Sequence, residues 1–167
     1  ATGMTLIVLT AGIDLSVGPL MGLCMVVASF FLLQDAPPEQ FALGIALIFI
    51  VALCVGFTNW FLVDPLGMHP MVATLATFMA VQSVAMLLRP VPEGMIDGDL
   101  MTSLKVKLGF IPVAFIFTLI LALVLEYVLY KRPVGLKFRG LGSRTEAARV
   151  AGIRPVYTRL LAYLACS

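Results

Sequence analysis

Long apolar runs separated by short polar segments are the main pattern along the chain. Three of the runs, at 41–63, 71–88 and 111–130, reach the length that a helix needs to cross a bilayer. A hydrocarbon core of about 30 Å takes about 20 helical residues. Polar residues are too sparse for the alternating strands, each of roughly 10 residues, of a membrane β-barrel. The pattern therefore predicts an all-α, polytopic transmembrane fold.

Three shorter runs complete the predicted topology. A first span is expected at about 4–33, broken at 12–18 by a polar interruption, and a last one begins at 157 and runs to the end of the chain. The chain starts without Met and ends inside an apolar run, so we expect a fragment of one transmembrane domain, 1–167, that is cut at both ends.

Composition and charge support this interpretation. Hydrophobic residues make up 61% of the chain and charged residues 12%, against about 45–50% and about 25% in soluble domains. A soluble domain of this size has no core large enough for such an excess. The segment 131–159 holds eight of the eleven basic residues and one acid. Because short basic loops remain on the cytoplasmic side, the loop 131–156 is expected in the cytoplasm.

Alternation of the spans then places the other connectors. The segment 64–70 is expected inside, and 34–40 and 89–109 outside. The weak point is 64–70, which contains Asp64 and no Lys or Arg.

The basic loop contains a short sequence with clear start and stop signals. Ser143 and Glu146 have the spacing of a capping box, and Gly152 followed by Pro155 is typical of a helix end. The intervening 144–151 is predicted to be a helix of about two turns. A helix this short is marginal in water, so we expect it to dock on a partner.

Three blocks of sequence, in this order, resemble one family. They are 3–18 (GMTLIVLTAGIDLSVG), 69–75 (HPMVATL) and 142–153 (GSRTEAARVAGI). Together they are similar to the permease subunits of ABC importers of the ribose/simple-sugar type. The resemblance covers nearly the whole chain, although Met71-Val72 stands where Phe-Ile is more usual.

The resemblance implies a transport subunit, not an enzyme, in the bacterial plasma (inner) membrane. ATP hydrolysis would belong to a separate cytoplasmic ATPase. The other implied partners are a second permease chain, as a homodimer or heterodimer, a periplasmic sugar-binding protein and the lipid bilayer. The implied substrate is a monosaccharide such as ribose. The residues implied to couple to the ATPase are Ser143, Glu146, Ala147, Ala148, Ala151 and Gly152.

Other functions remain open from the residues alone. The chain is also compatible with a branched-chain amino-acid or nucleoside ABC permease, with an ion-coupled secondary transporter in which Asp14 would hold the ion, and with a membrane scaffold. Broken helices line binding sites in transporters, and ionisable residues at membrane depth are functional candidates. Polar residues that could line a substrate pathway are Asp14, Ser16, Asn59, Thr74, Thr77 and Gln82. Asp14 or Ser16 could equally cap the next helix.

Several chemistries are not supported by any motif. No phosphate-binding G-x-x-x-x-G-K-[ST] occurs, so we expect no nucleotide cofactor on this chain. The three cysteines are far apart and the chain has one His, which favours neither a metal site nor a catalytic site. The basic loop lacks the aromatic residues of single-strand nucleic-acid binders.

Overall fold

The computed structural model describes residues 2–10, 12–33, 37–91, 107–108, 111–143, 150 and 152–167. Within these ranges, two short strands, β1 (Lys107–Leu108) and β2 (Ile111–Pro112), pair in antiparallel fashion before α5. The helices are α1 (Thr2–Leu9), α2 (Val17–Phe31), α3 (Pro38–Val63), α4 (Pro70–Leu88), α5 (Val113–Lys131), α6 (Pro133–Ser143) and α7 (Pro155–Cys166).

Three of these helices, α3, α4 and α5, are long and apolar enough to cross a membrane. The all-α, polytopic membrane fold predicted from the sequence is therefore confirmed. Helix α1 ends at Leu9, before the polar interruption, and helix α2 begins at Val17, within it.

Proline sets the first position of several helices. Pro38, Pro70 and Pro155 each begin a helix, where the missing N–H donor costs nothing because the first amides of a helix lack intrahelical partners. The preceding Pro37 and His69 have the extended backbone that a following proline favours. The prolines that interrupt the hydrophobic pattern are thus helix starts.

Small residues allow the helices to approach closely. Helices α2, α3 and α4 pack against one another, and α7 packs against both α1 and α3. A Cβ added at Gly44 would lie 2.6 Å from the Cβ of Phe31 in α2, and one at Gly56 would lie 2.9 Å from the carbonyl oxygen of Tyr163 in α7. Close contact through glycine is a common way to associate helices in a membrane, where apolar burial gives no preference for protein over lipid.

Helix α6 lies inside the segment that the sequence analysis assigns to a loop. Gly135 lies against the backbone of Leu129 in α5, and Gly142 lies against the carbonyl oxygen of Leu9 in α1. The two ends of α6 therefore contact the last turns of two different helices, and α6 crosses one end of the bundle, which we call the α6 end. Pro133 stands at the helix start, and Gly135 and Gly142 are contact points, so these residues do not interrupt the helix.

Two contacts bring the α3–α4 turn to the α6 end. The indole Nε1 of Trp60 donates to the carbonyl oxygen of Val156, at 3.0 Å. The Arg159 guanidinium lies 2.7 Å from the Asp64 carboxylate. The turn at 64–69 and the start of α7 thus occupy the same end of the bundle.

Candidate functional site

The polar interruption is a non-helical segment with alternating burial. Gly12, Asp14 and Ser16 are buried, whereas Ile13 and Leu15 are exposed. The polar side chains at 14 and 16 therefore both face the helices, although both neighbouring runs are apolar.

Asp14 is the centre of a buried hydrogen-bond network. Its Oδ1 accepts from the backbone N–H of Ser16 at 2.8 Å and from the Ser16 hydroxyl at 2.7 Å. Asn59 of α3 donates through Nδ2 to Ser16 Oγ at 2.7 Å, and its Nδ2 also lies 3.5 Å from Asp14 Oδ1. Asp14, Ser16 and Asn59 are all fully buried. The network ties the interruption to α3 across more than forty residues of sequence.

The geometry differs from a simple helix cap. Ser16 occupies the N-cap position of α2 but makes no side-chain cap hydrogen bond. Asp14 instead accepts from the amide two residues ahead, the local bond of an Asx-turn. The interruption therefore has its own fixed shape before α2 begins.

Helix α4 supplies the other side of this site. The hydroxyl of Thr74, which is fully buried, lies 3.3 Å from the carbonyl oxygen of Ile13 and 2.9 Å from that of Pro70. Thr77 is also buried but donates to Ala73 within its own helix, at 3.1 Å. Gln82, further along α4, is half-buried. The structure thus brings Asp14, Ser16, Asn59 and Thr74 together, whereas Thr77 and Gln82 lie progressively farther along α4.

Two acceptors in this network remain open. Asp14 Oδ2 and Asn59 Oδ1 are buried and accept no hydrogen bond from the part of the chain that the structure describes. An unpaired buried acceptor typically costs about 1–3 kcal/mol. Both acceptors are closed off from solvent, and this buried position favours a structural role for Asp14.

A polar cavity of about 500 Å³ opens at the α6 end, next to this network. Its described lining is formed by the α3–α4 turn, the end of α1 and the start of α7, and none of the six predicted pathway residues is among it. The polar side chains that line it are those of Thr10, Asp64, His69, Arg159 and Tyr163. The sequence analysis did not propose Asp64, Arg159 or Tyr163 as site residues.

The lining of the cavity includes a charged pair and a buried phenol. The Asp64 and Arg159 side chains are 8% and 27% exposed, and Asp64 Oδ2 accepts no further bond within the described residues. The Tyr163 hydroxyl is buried and likewise without a partner there. A carboxylate, a guanidinium and a phenol offer both acceptors and donors to a neutral polar solute. The sequence offered one sign of this ion pair, which is the presence of Arg159 in the apolar run that begins at 157.

Breaking the Asp64–Arg159 pair is expected to be more harmful than reversing it. Arg159→Ala leaves a largely buried carboxylate uncompensated, which costs about 3–5 kcal/mol in buried pairs, reduced here because Arg159 is partly exposed. The double variant Asp64→Arg/Arg159→Asp restores a pair. We expect lower thermal stability in detergent for Arg159→Ala and partial recovery in the double variant. If the double variant were no more stable than Arg159→Ala, the result would contradict an attractive interaction between the two side chains.

The described residues offer no metal centre, because no group of three His, Cys, Asp or Glu side chains comes together among them.

The predicted coupling segment falls largely on 144–149 and 151, which lie outside the described residues. Of the predicted coupling residues, Ser143 is the last residue of α6 and therefore does not stand before a helix as a capping residue would. Gly152 has a backbone φ of +78°, the left-handed conformation that glycine adopts at a helix end.

Comparison with known proteins gives the family. The family model described as "Branched-chain amino acid transport system / permease component" matches residues 1–167. The chain is 35% identical to the probable ABC transporter permease protein y4mJ of Sinorhizobium fredii, over 99% of this chain and 49% of that protein. No solved structure matches the chain significantly.

Two further relatives carry more specific names. The chain is 31% identical to the autoinducer 2 import system permease protein LsrC of Photorhabdus laumondii, over 98% of this chain and 48% of the relative. It is 32% identical to the fructose import permease protein FruF of Bifidobacterium longum, over 98% and 46%. The chain spans about half the length of the curated relatives it matches. The resemblance inferred from three sequence blocks is confirmed: this chain belongs to the family of ABC transport-system permease components, and it is a multi-pass membrane protein.

Proposed function

We propose that the protein to which this chain belongs is the permease subunit of an ATP-driven importer of a simple sugar, such as ribose, in the bacterial inner membrane. The observation that carries the proposal is the match over 98% of the chain to a fructose import permease. A periplasmic binding protein would deliver the sugar, two permease chains would form the pathway, and separate cytoplasmic ATPase subunits would hydrolyse ATP.

The segment 143–152 is the proposed contact with the ATPase. Val150 is 91% exposed, as expected for an apolar side chain whose partner is another protein. The left-handed backbone of Gly152 supports a helix that ends there. Ala147, Ala148 and Ala151 are small enough to enter a groove closely. Ser143, the last residue of α6, would precede the proposed helix, and Glu146 would lie in its first turn.

The polar cavity at the α6 end supports a neutral, hydroxyl-rich solute. Asp64 and Arg159 balance each other's charge, so the cavity gives little preference to a charged solute over a neutral one. Sugar hydroxyls can donate to the carboxylate and accept from the guanidinium. Asp14, Ser16, Asn59 and Thr74 would hold the neighbouring wall in place, and Thr77 and Gln82 remain predicted pathway residues.

A branched-chain amino acid is the second candidate substrate, because the matching family model is described by that transport system. Such a solute is a zwitterion with an apolar side chain. It would use the Asp64–Arg159 pair differently, with its carboxylate and ammonium groups competing for the two side chains.

Purification of the whole permease from its native membrane tests the proposal. We expect an ABC ATPase to co-purify, and ATP-dependent uptake into vesicles of radiolabelled D-ribose or D-fructose in preference to L-leucine. Uptake of leucine but of neither sugar would indicate that the substrate is a branched-chain amino acid, the second candidate. Uptake abolished by a protonophore and independent of ATP would contradict an ATP-driven importer.

A further inference from the structure

Helix α6 and the last turns of α5 bring basic, aromatic and apolar side chains together at the α6 end of the bundle. Tyr127 and Tyr130 are exposed near the end of α5. Exposed tyrosines at the end of a membrane-spanning helix mark the headgroup region, where one end of the ring contacts lipid and the other contacts water. This level lies directly beside the start of α6.

Two arginines stack on these rings. The Arg132 guanidinium lies 5.8 Å from the centroid of Tyr127, and the Arg139 guanidinium lies 4.7 Å from that of Tyr130. Such stacking holds the cations at the depth of the tyrosines instead of letting them extend into the cytoplasm. The positive charge is therefore fixed at headgroup depth.

The part of α6 that does not pack on the bundle is exposed and can meet the membrane surface. Gly135 and Gly142 contact α5 and α1, and Phe138 and Leu141 are buried against the bundle. On other sides of the helix, Val134 is 45% exposed and Leu136 is 60% exposed. An amphipathic helix with exposed apolar and basic side chains, lying across the end of the bundle, has the features of an interfacial helix.

The basic residues of this region have no acidic partners among the residues that the structure describes. There the ion pair is Asp64–Arg159, and Lys131, Arg132 and Lys137 form none. Glu126 is the nearest acid in sequence and is also exposed without an ion pair there. Three uncompensated cations near a bilayer attract anionic lipid.

From these observations we infer that α6 and the end of α5 bind anionic phospholipid headgroups through Lys131, Arg132 and Lys137. The stacked tyrosines set the depth, Leu136 enters the acyl boundary, and the three cations contact phosphate. This surface is separate from the polar cavity and does not depend on the transported solute.

Native mass spectrometry of the whole permease tests the inference. The probes are phosphatidylglycerol and phosphatidylcholine with identical acyl chains, added to delipidated protein. We expect tighter binding of phosphatidylglycerol. Each basic residue near an anionic surface contributes about fivefold in binding, so the triple variant Lys131→Gln/Arg132→Gln/Lys137→Gln is expected to reduce this preference by roughly a hundredfold.

Arg89→Gln is the matched control, because Arg89 stacks on Phe30 at the end of α4, away from α6. It should keep the preference. Equal binding of both lipids by the wild type, an unchanged preference in the triple variant, or an equal loss in Arg89→Gln would each overturn the inference. If the triple variant does not fold, a salt titration of the wild type replaces it. The preference for phosphatidylglycerol is expected to weaken as salt rises from about 50 mM to about 500 mM. A preference that does not change with salt would overturn the inference.

Discussion

Asp14→Ala is expected to destabilise the permease more than any other single polar substitution in the described spans. The change removes the acceptor for the Ser16 amide and the Ser16 hydroxyl, and it weakens the position of Asn59. Buried donors without acceptors cost about 1–3 kcal/mol each, so the expected loss is roughly 2–5 kcal/mol. Thermal inactivation in detergent measures it.

Two controls separate the network from charge alone. Asp14→Asn keeps an oxygen acceptor of the same size and should retain part of the stability. Glu39→Ala removes an acid that is exposed in the first turn of α3 and should change little. If Asp14→Ala proves as stable as the wild type but transports nothing, Asp14 acts on the solute or an ion directly, and the structural role is wrong.

Gly152→Leu is expected to abolish most transport while leaving membrane insertion intact. Gly152 has a φ of +78°, and this conformation costs other residues roughly 1–2 kcal/mol. The substitution therefore lengthens or misdirects the proposed coupling helix. Coupling free energies between sites are typically about 1–3 kcal/mol, so uptake should fall by roughly tenfold or more, with unchanged protein in the membrane. Ala147→Trp is expected to act similarly, by filling the contact with the ATPase.

Gly152→Asn is the informative control, since Asn tolerates the left-handed region better than Leu. It should retain most of the uptake. Gly22→Leu adds the same bulk at an exposed glycine with no neighbouring atom within 4 Å and should also be tolerated. Normal uptake by Gly152→Leu would contradict the proposed role of 143–152.

The sequence was most informative about the membrane-spanning helices, whose positions follow from the length of each apolar run. The spans 41–63, 71–88 and 111–130 correspond to α3, α4 and α5 within a few residues, because a bilayer demands a continuous apolar helix of fixed length. The interruption at 12–18 was visible for the same reason, since Asp14 and Ser16 break two apolar runs.

Features that depend on distant partners were not predictable. Asp14 and Asn59 were each noted as polar residues, but the hydrogen bonds that connect them through Ser16 join segments 43–45 residues apart. The Asp64–Arg159 pair is also a distant contact, because its members are 95 residues apart in sequence. Helix α6 was missed because Pro133, Gly135 and Gly140 match a loop by local pattern, whereas Phe138 and Leu141 bury against the bundle.

Labelling of a single cysteine at Val150 tests the central claim most directly. Val150 is 91% exposed, so Val150→Cys in a cysteine-free whole permease should react readily with a membrane-impermeant maleimide. The account predicts reaction in inside-out vesicles, none in intact cells, and protection when the ATPase is bound. Reaction from the periplasmic side of intact cells would place 143–152 on the wrong face of the membrane and contradict its role in coupling.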